Sequence, residues 1–328
     1  MLRLHRHDGT AELVLPMGVG VRRPLRVASA AALGLGLALS PAAMPPALAE
    51  GVLERVARTG QLRLIGPIDH PPMLSVDAKG QPQGYGALVA RRIADLVAKA
   101  VGKPVQLVYE PVADSELISQ KLGEGKAELA CGLAFTWARE EVLDFTFPIA
   151  MSGLRLIAPA GRLDGTVASL AGQRIGVVRD SLADTQLRGM QPAAQVQTYL
   201  DLAAALKALA AGQLNGVIGD TAILAGLTSE QGLQGMAQTP VRPYLRYPVA
   251  CAVPENASAY RGLANRAIVQ LLQGYIEGIP ADVSAVDRWI GPGTALGLSQ
   301  QQIRGAFDAL LLGVEPLRVV VAVPASAL

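Results

Sequence analysis

The sequence predicts an α/β fold of two Rossmann-like lobes joined by a two-strand hinge. Three observations carry this reading. From Leu62 short apolar strand runs alternate with helical stretches. The same alternation restarts near Leu170. Two further extended runs, Gly153 to Ala158 and Tyr247 to Val253, each end at a proline and bracket the second series, as crossovers between lobes would.

Taken in order, Leu62 to Gly66 reads as a strand ending at glycine, and Val89 to Val101 as a helix with apolar residues at 89, 93, 96, 97 and 100, closed by Gly102. Val105 to Tyr109 is a second strand, Glu116 to Leu122 a short helix, and Glu128 to Ala134 a third strand. This βαβαβ order predicts a mostly parallel sheet with helices on both faces. In the second series Arg174 to Val178 is a strand, and Asp180-Ser181 opens a helix carrying Leu182 and Leu187. Val196 to Tyr199 follows as a strand, and Asp201 caps a helix with Leu202, Leu206 and Leu209 that stops at Gly212. Gly216 to Gly219 is the next strand, with Asp220 at its carboxyl end and a helix over Thr221 to Gly226. Helices from Tyr260 onward return to the first lobe. After the Gly291-Pro292-Gly293 linker, Ser299 and Gln302 form a capping box ahead of an apolar stripe of Ile303, Ala306, Phe307 and Leu310. The expected division is residues 50–155 with 250–290 for the first lobe, 156–249 for the second, and 291–328 as a C-terminal extension.

The N-terminus has a different character. Arg22-Arg23-Pro24-Leu25-Arg26 precedes an apolar run from Val27 to Leu39, and Ala47-Leu48-Ala49 supplies small residues for cleavage. That order is a secretory signal over residues 1–49, and the apolar run is short for a membrane span. Met17 is an alternative start to Met1. The segment holds five arginines and two acids, so removing it from 29 basic and 27 acidic residues leaves 24 against 25, a net charge near −1. The mature protein is therefore expected to be soluble outside the cytoplasm, with no basic patch for nucleic acid, and a periplasmic monomer is the expected form. His70 is the single histidine after the leader, which excludes a histidine-based metal cluster or a Ser-His pair, and no phosphate-cradling loop occurs. No cofactor is expected. Cys131 and Cys251 both lie in apolar strand-like runs, so buried free thiols are expected; an oxidising compartment permits a disulfide as the alternative.

Two segments offer chemistry. Thr136 and Arg139 follow the third strand of the first series, and Asp220 ends the third strand of the second. Ligands of such sheets lie beyond the carboxyl ends of the strands. A guanidinium fork for a carboxylate and a lone acid for an ammonium together suit a zwitterion such as a free amino acid. An arginine in a helix's first turn opposes the helix dipole, which favours a ligand-facing role for Arg139. Thr136 is suited to cap the helix that follows as well as to bind, Asp220 has capping as the lesser alternative to a ligand role, and for Ser181 a helix cap is equally natural. Asp69, His70, Tyr85 and Trp137 are candidate side-chain contacts in the first lobe, Tyr85 foremost.

Asp69-His70-Pro71-Pro72-Met73, Gly84-Tyr85, Thr136 to Glu141, Asp144-Phe145-Thr146-Phe147-Pro148, Ile175-Gly176-Val177 and Leu209 to Gln213 occur in an order that carries a resemblance. From about Leu62 to Ile290 the chain resembles the family 3 extracellular solute-binding proteins, the binding components of polar amino-acid ABC importers. The resemblance implies a class II periplasmic-binding-protein-like fold that closes on its ligand and delivers it to an inner-membrane permease. It implies that Arg139 and Thr136 hold the ligand carboxylate, that the Asp180-Ser181 turn adds a backbone N–H, and that Asp220 takes the ammonium. Gly86 and Leu88 stand where the family usually has acids, and Met73 replaces a usual aromatic. Two other functions share this fold class. One is a periplasmic lyase or dehydratase, for which Asp69 or Glu110 would have to serve as acid or base. The other is a ligand sensor partnering a receptor through the C-terminal extension.

Overall fold

The computed structural model describes residues 50–67, 69–112 and 114–314. The expected leader and the apolar run Val319 to Val323 lie outside the described residues.

The first series of elements is α1 (Val52–Thr59), β1 (Gln61–Gly66), β2 (Asp69–His70), β3 (Leu74–Val76), β4 (Pro82–Gln83), α2 (Tyr85–Val101), β5 (Gln106–Pro111), α3 (Ser115–Gly123), β6 (Ala130–Ala134), α4 (Trp137–Glu140) and β7 (Asp144–Phe145). β8 (Ala150–Pro159) leads out of it. The second series is β9 (Arg174–Val178), α5 (Leu182–Met190), β10 (Gln195–Tyr199), α6 (Leu202–Ala210), β11 (Gly216–Asp220), α7 (Thr221–Glu230) and β12 (Met236–Thr239). β13 (Leu245–Val253) leads back to α8 (Ser258–Ile276), α9 (Pro280–Ile290) and α10 (Gln300–Leu310). α2 begins a turn before the predicted Val89. Residues 85 to 90 are all buried, so the polar positions that would mark a helical period are missing there.

Both crossovers exist, and they alter the expected sheet. Within each series the longer strands pair in parallel, β1 with β5, β9 with β10 and with β11, and Leu64 bridging to Leu129 ahead of β6, while the short β2, β3 and β4 form a small antiparallel sheet of their own. The crossovers run antiparallel to their neighbours, so the large sheet, ordered β10-β9-β11-β8-β13-β6, is mixed rather than mostly parallel. β8 changes partners along its length. Its first half pairs with β13 and its second half with β11 and β12, and Leu154 sits at the change, opposite both Leu245 and Asp220. The backbone is crowded beside it: a side chain on Gly153 would run into the Leu245 carbonyl and Pro243.

Strand alternation explains the burial on both faces. On β13, Tyr247, Val249, Cys251 and Val253 face the large core, which also holds Leu154, Leu156, Ile218 and most of α2 and α8. Ala250 and Ala252 face a smaller cluster with Ile65, Ile118, Leu122, Leu143 and Phe145. Val217 faces a third, built from the leucines of α6 and α7. The capping box at Ser299 and Gln302 forms, and Ile303 and Phe307 are buried while Ala306 is exposed. Phe307 lies near-parallel to Tyr85 at 6.5 Å and edge-on to Tyr275 at 5.3 Å, so α10 completes the core instead of standing apart from it.

The expected free thiols are a correction. Cys131 and Cys251 form a disulfide, with S–S 2.04 Å and Cα atoms 3.9 Å apart. The reason is register: the two residues are direct cross-strand partners on β6 and β13, at a bulge between Ala250 and Cys251. Such pairing of strands 120 residues apart is invisible in the local pattern. A crosslink across so long a loop typically contributes about 2–4 kcal/mol by restricting the unfolded chain.

Candidate functional site

The carboxyl ends of β6 and β11 lie on either side of the two crossovers, and the order β6-β13-β8-β11 places the candidate residues in a row. β6 ends at Ala134, opposite Val249 of β13. Thr136 then caps α4, its Oγ1 accepting from the Arg139 N–H at 3.3 Å. This single turn folds Arg139 back over the end of its own strand, where Nη1 donates to the Ala134 carbonyl at 2.8 Å. The guanidinium is half-buried, burial lowers its pKa from the ordinary value, and among the described residues it makes no ion pair with a carboxylate.

Asp220 ends β11 and caps α7. Its Oδ1 accepts from the N–H groups of Ala222 and Ile223 at 2.8 and 3.1 Å. Its Oδ2 accepts from the Tyr247 hydroxyl at 2.7 Å. Tyr247 was expected only as a crossover residue, yet it joins the site. It is 6% exposed, directly opposite Ser152 on β8, and interacts electrostatically with Arg139. Burial first, and then the neighbouring Asp220, push the phenol far above its usual pKa, against a smaller opposing effect of Arg139 and of a hydrogen bond with Ser152. The signal was strand parity: Tyr247 shares a face with Val249 and Cys251, and a polar tip among apolar residues at a strand end needs a partner.

The other candidates divide. Tyr85, expected foremost as a ligand contact, is a correction: it is 0% exposed, its hydroxyl donates to the Ile149 carbonyl at 3.0 Å, and its ring packs on Phe307. The first residue of α2 packs into the large core, its backbone N–H donating to the Pro72 carbonyl at 2.8 Å. Trp137 stands 77% exposed on α4, edge-on to Phe135 at 5.3 Å. Ser181 caps α5, accepting from the Asp184 N–H at 3.2 Å and donating to the Val178 carbonyl at 2.7 Å. Asp180 beside it has φ 55°, a left-handed conformation suited to glycine, and its N–H donates to Asp184 Oδ2 at 3.3 Å. Asp69 lies opposite Ser75 and His70 opposite Leu74 on β3; the side chain of Asp69 falls outside what the structure describes. Glu110 forms an ion pair with Lys121 at 2.8 Å. Among the described residues no cluster of His, Cys, Asp and Glu is arranged to hold a metal, and no helix is long and apolar enough to cross a membrane.

The two lobes touch again away from the crossovers. α7 rests on the turn after β2, where a side chain on Gly226 would run into the Pro71 carbonyl. Gly226→Leu is therefore expected to force α7 away from that turn and open the cleft. Solution X-ray scattering of the ligand-free variant should give a larger radius of gyration than wild type; equal radii would mean that this contact does not govern closure.

Residues 62–277 match the family described as bacterial extracellular solute-binding proteins, family 3. No curated protein sequence matches the chain. Solved structures with the same fold include an ancestral arginine-binding protein bound to glutamine, 21% identical, with a TM-score of 0.60 over 71% of this chain and 98% of that one. They include an ancestral amino-acid-binding protein described as a precursor of cyclohexadienyl dehydratase, 16% identical, TM-score 0.61, covering 74% of this chain and 100% of that one. A third is the substrate-binding protein of an amino-acid ABC transporter, 16% identical, TM-score 0.60, covering 70% of this chain and 98% of that one. At these identities the likeness is one of fold, the two-lobed α/β type with paired crossovers. The family match spans about two thirds of the sequence, and the chain belongs to family 3 of the bacterial extracellular solute-binding proteins.

Proposed function

We propose that this protein captures a free amino acid between its two lobes in the periplasm and delivers it to the permease of an ABC importer, acting as a binder without turnover. The observation that carries the reading is the half-buried Arg139, which has no carboxylate partner among the described residues and lies beside Tyr247, itself bonded to Asp220. A cation from one lobe and an anion from the other leave complementary ends for a zwitterion. In this reading Arg139 and Thr136 hold the carboxylate, Asp220 takes the ammonium, the Asp180-Ser181 turn closes over the ligand from the second lobe, and Trp137 and Asp69 line the rim. The lobes divide as 50–155 with 250–290 and 156–249, and the leader is removed near Ala49. The ligands of similarly folded proteins, arginine and glutamine among them, support the amino-acid class, and the ABC-transporter protein supports delivery to a permease.

A thermal-shift screen over the twenty standard L-amino acids tests the proposal. A ligand at 100 times its Kd adds about 2.7 kcal/mol of stability, which is readily detected. No shift with any of the twenty would exclude the amino-acid reading. Mass spectrometry of the incubated ligand showing a dehydrated or cleaved product would replace binding by catalysis.

A further inference from the structure

We propose that Tyr247 is a ligand-positioning residue: its hydroxyl, with Asp220 Oδ2 and the Ser152 hydroxyl, forms a three-oxygen seat that selects a primary ammonium group. This deepens the amino-acid reading above and rests on it. The three residues come from three adjacent strands. Tyr247 and Ser152 are direct cross-strand partners, and Asp220 lies opposite Leu154, two residues along β8 from Ser152. By strand alternation Ser152 and Leu154 project from one face, the face of β13 that carries Tyr247. The hydrogen bond from Tyr247 to Asp220 shows that these side chains meet there.

The need for more than one oxygen follows from counting donors. An ammonium group brings three N–H bonds, and in an enclosed cleft each one left unpaired is costly. Asp220 alone cannot receive them. Two backbone N–H groups of α7 already occupy Oδ1, and the Tyr247 hydroxyl occupies one position on Oδ2, leaving a single lone pair there. The same geometry supplies the remainder. Tyr247 donates its proton to Asp220 Oδ2 at 2.7 Å, which leaves its own oxygen to act as an acceptor. The raised phenol pKa keeps that proton in place throughout the physiological range. Ser152 lies within hydrogen-bonding reach of Tyr247 and adds a third oxygen. Arg139 interacts electrostatically with Tyr247, so the guanidinium that would take the carboxylate and the seat for the ammonium share one neighbour. An alkyl group on the nitrogen would replace one N–H and press against one of the three oxygens.

The test uses titration calorimetry with two probes: the L-amino acid that binds wild type most tightly in the thermal-shift screen, and its Nα-methyl derivative. Wild type is expected to prefer the unmethylated compound by about tenfold or more. Tyr247→Phe keeps the ring and its packing but removes the oxygen. It should weaken the unmethylated compound by about tenfold and narrow the preference at least threefold. Ser152→Ala should narrow it in the same direction, and it carries the test if Tyr247→Phe fails to fold. An unchanged preference in the folded variants would overturn the proposal, since Tyr247 would then only brace the hinge. Wild type that binds none of the twenty amino acids would instead overturn the functional reading itself, and the seat with it.

Discussion

Arg139→Ala is expected to weaken amino-acid binding by on the order of 100- to several-thousand-fold, or about 3–5 kcal/mol. The loss is large because the variant leaves a ligand carboxylate enclosed in the cleft without its countercharge. Arg139 is already placed for that task, held by the Ala134 carbonyl and by the α4 turn, so little ordering remains to be done on binding. Arg139→Lys should also be damaging, because an ammonium cannot supply two parallel donors. On the other lobe the informative change is Asp220→Asn. Asp220→Ala would also strip the cap from α7, a separate loss of about 1 kcal/mol, whereas asparagine keeps an oxygen for the Ala222 and Ile223 N–H groups. Asp220→Asn should lower affinity for the amino acid and spare weak binding of carboxylates that lack an ammonium. Arg174→Ala is the control: that side chain is exposed at the start of β9, away from the site. Calorimetric binding of Arg139→Ala and Asp220→Asn within threefold of wild type would remove the clamp from the account.

Glu128→Ala is expected to destabilise the ligand-free protein by about 3–5 kcal/mol, with a fall in melting temperature on the order of 10 °C. Glu128 is 1% exposed and holds three segments together. Its Oε1 accepts from Arg55 Nε of α1 at 2.8 Å and from Arg63 Nη2 of β1 at 2.6 Å, and its Oε2 accepts from the Arg63 backbone N–H at 2.8 Å. Removing the acid leaves two arginines partly buried beside an empty space. The pair also predicts a pH dependence. Burial pushes the Glu128 carboxyl upward, but the hydrogen bonds from Arg63 and Arg55 outweigh it and hold the group below its ordinary value. A depressed folded-state pKa contributes stability above the unfolded value, near 4.3, that is lost as pH falls through the lower folded value. Thermal melts between about pH 2 and 6 should show a shallower acid limb in Glu128→Gln than in wild type; identical limbs would mean the carboxylate is not linked to folding.

Much of the fold was legible because it is local. Strand runs such as Leu62 to Gly66, caps such as Asp201 and Ser299, and stops such as Gly102 depend on residues within a turn of one another, and they appear where the pattern puts them. The crossovers were legible for a related reason: an apolar extended run ending in proline cannot continue as helix. Arg139 and Asp220 could be singled out because position after a strand and charge are both sequence properties. Tyr85 misled because a tyrosine at a helix start reads identically whether it faces a cleft or a core.

The sequence by itself determined the elements, their order, the two crossovers and the charged pair at the strand ends, since each follows from short-range periodicity, capping or composition. Only the tertiary structure decided which distant strands lie side by side, and with what register. That register joined Cys131 to Cys251, turned Tyr247 toward Asp220, closed Glu128 between Arg55 and Arg63, and brought Phe307 of α10 against Tyr85. The physical reason is that a strand's partner is chosen by the summed packing of both faces across the whole sheet, and a slip of one residue would reverse every side chain. No local window of the chain contains that sum.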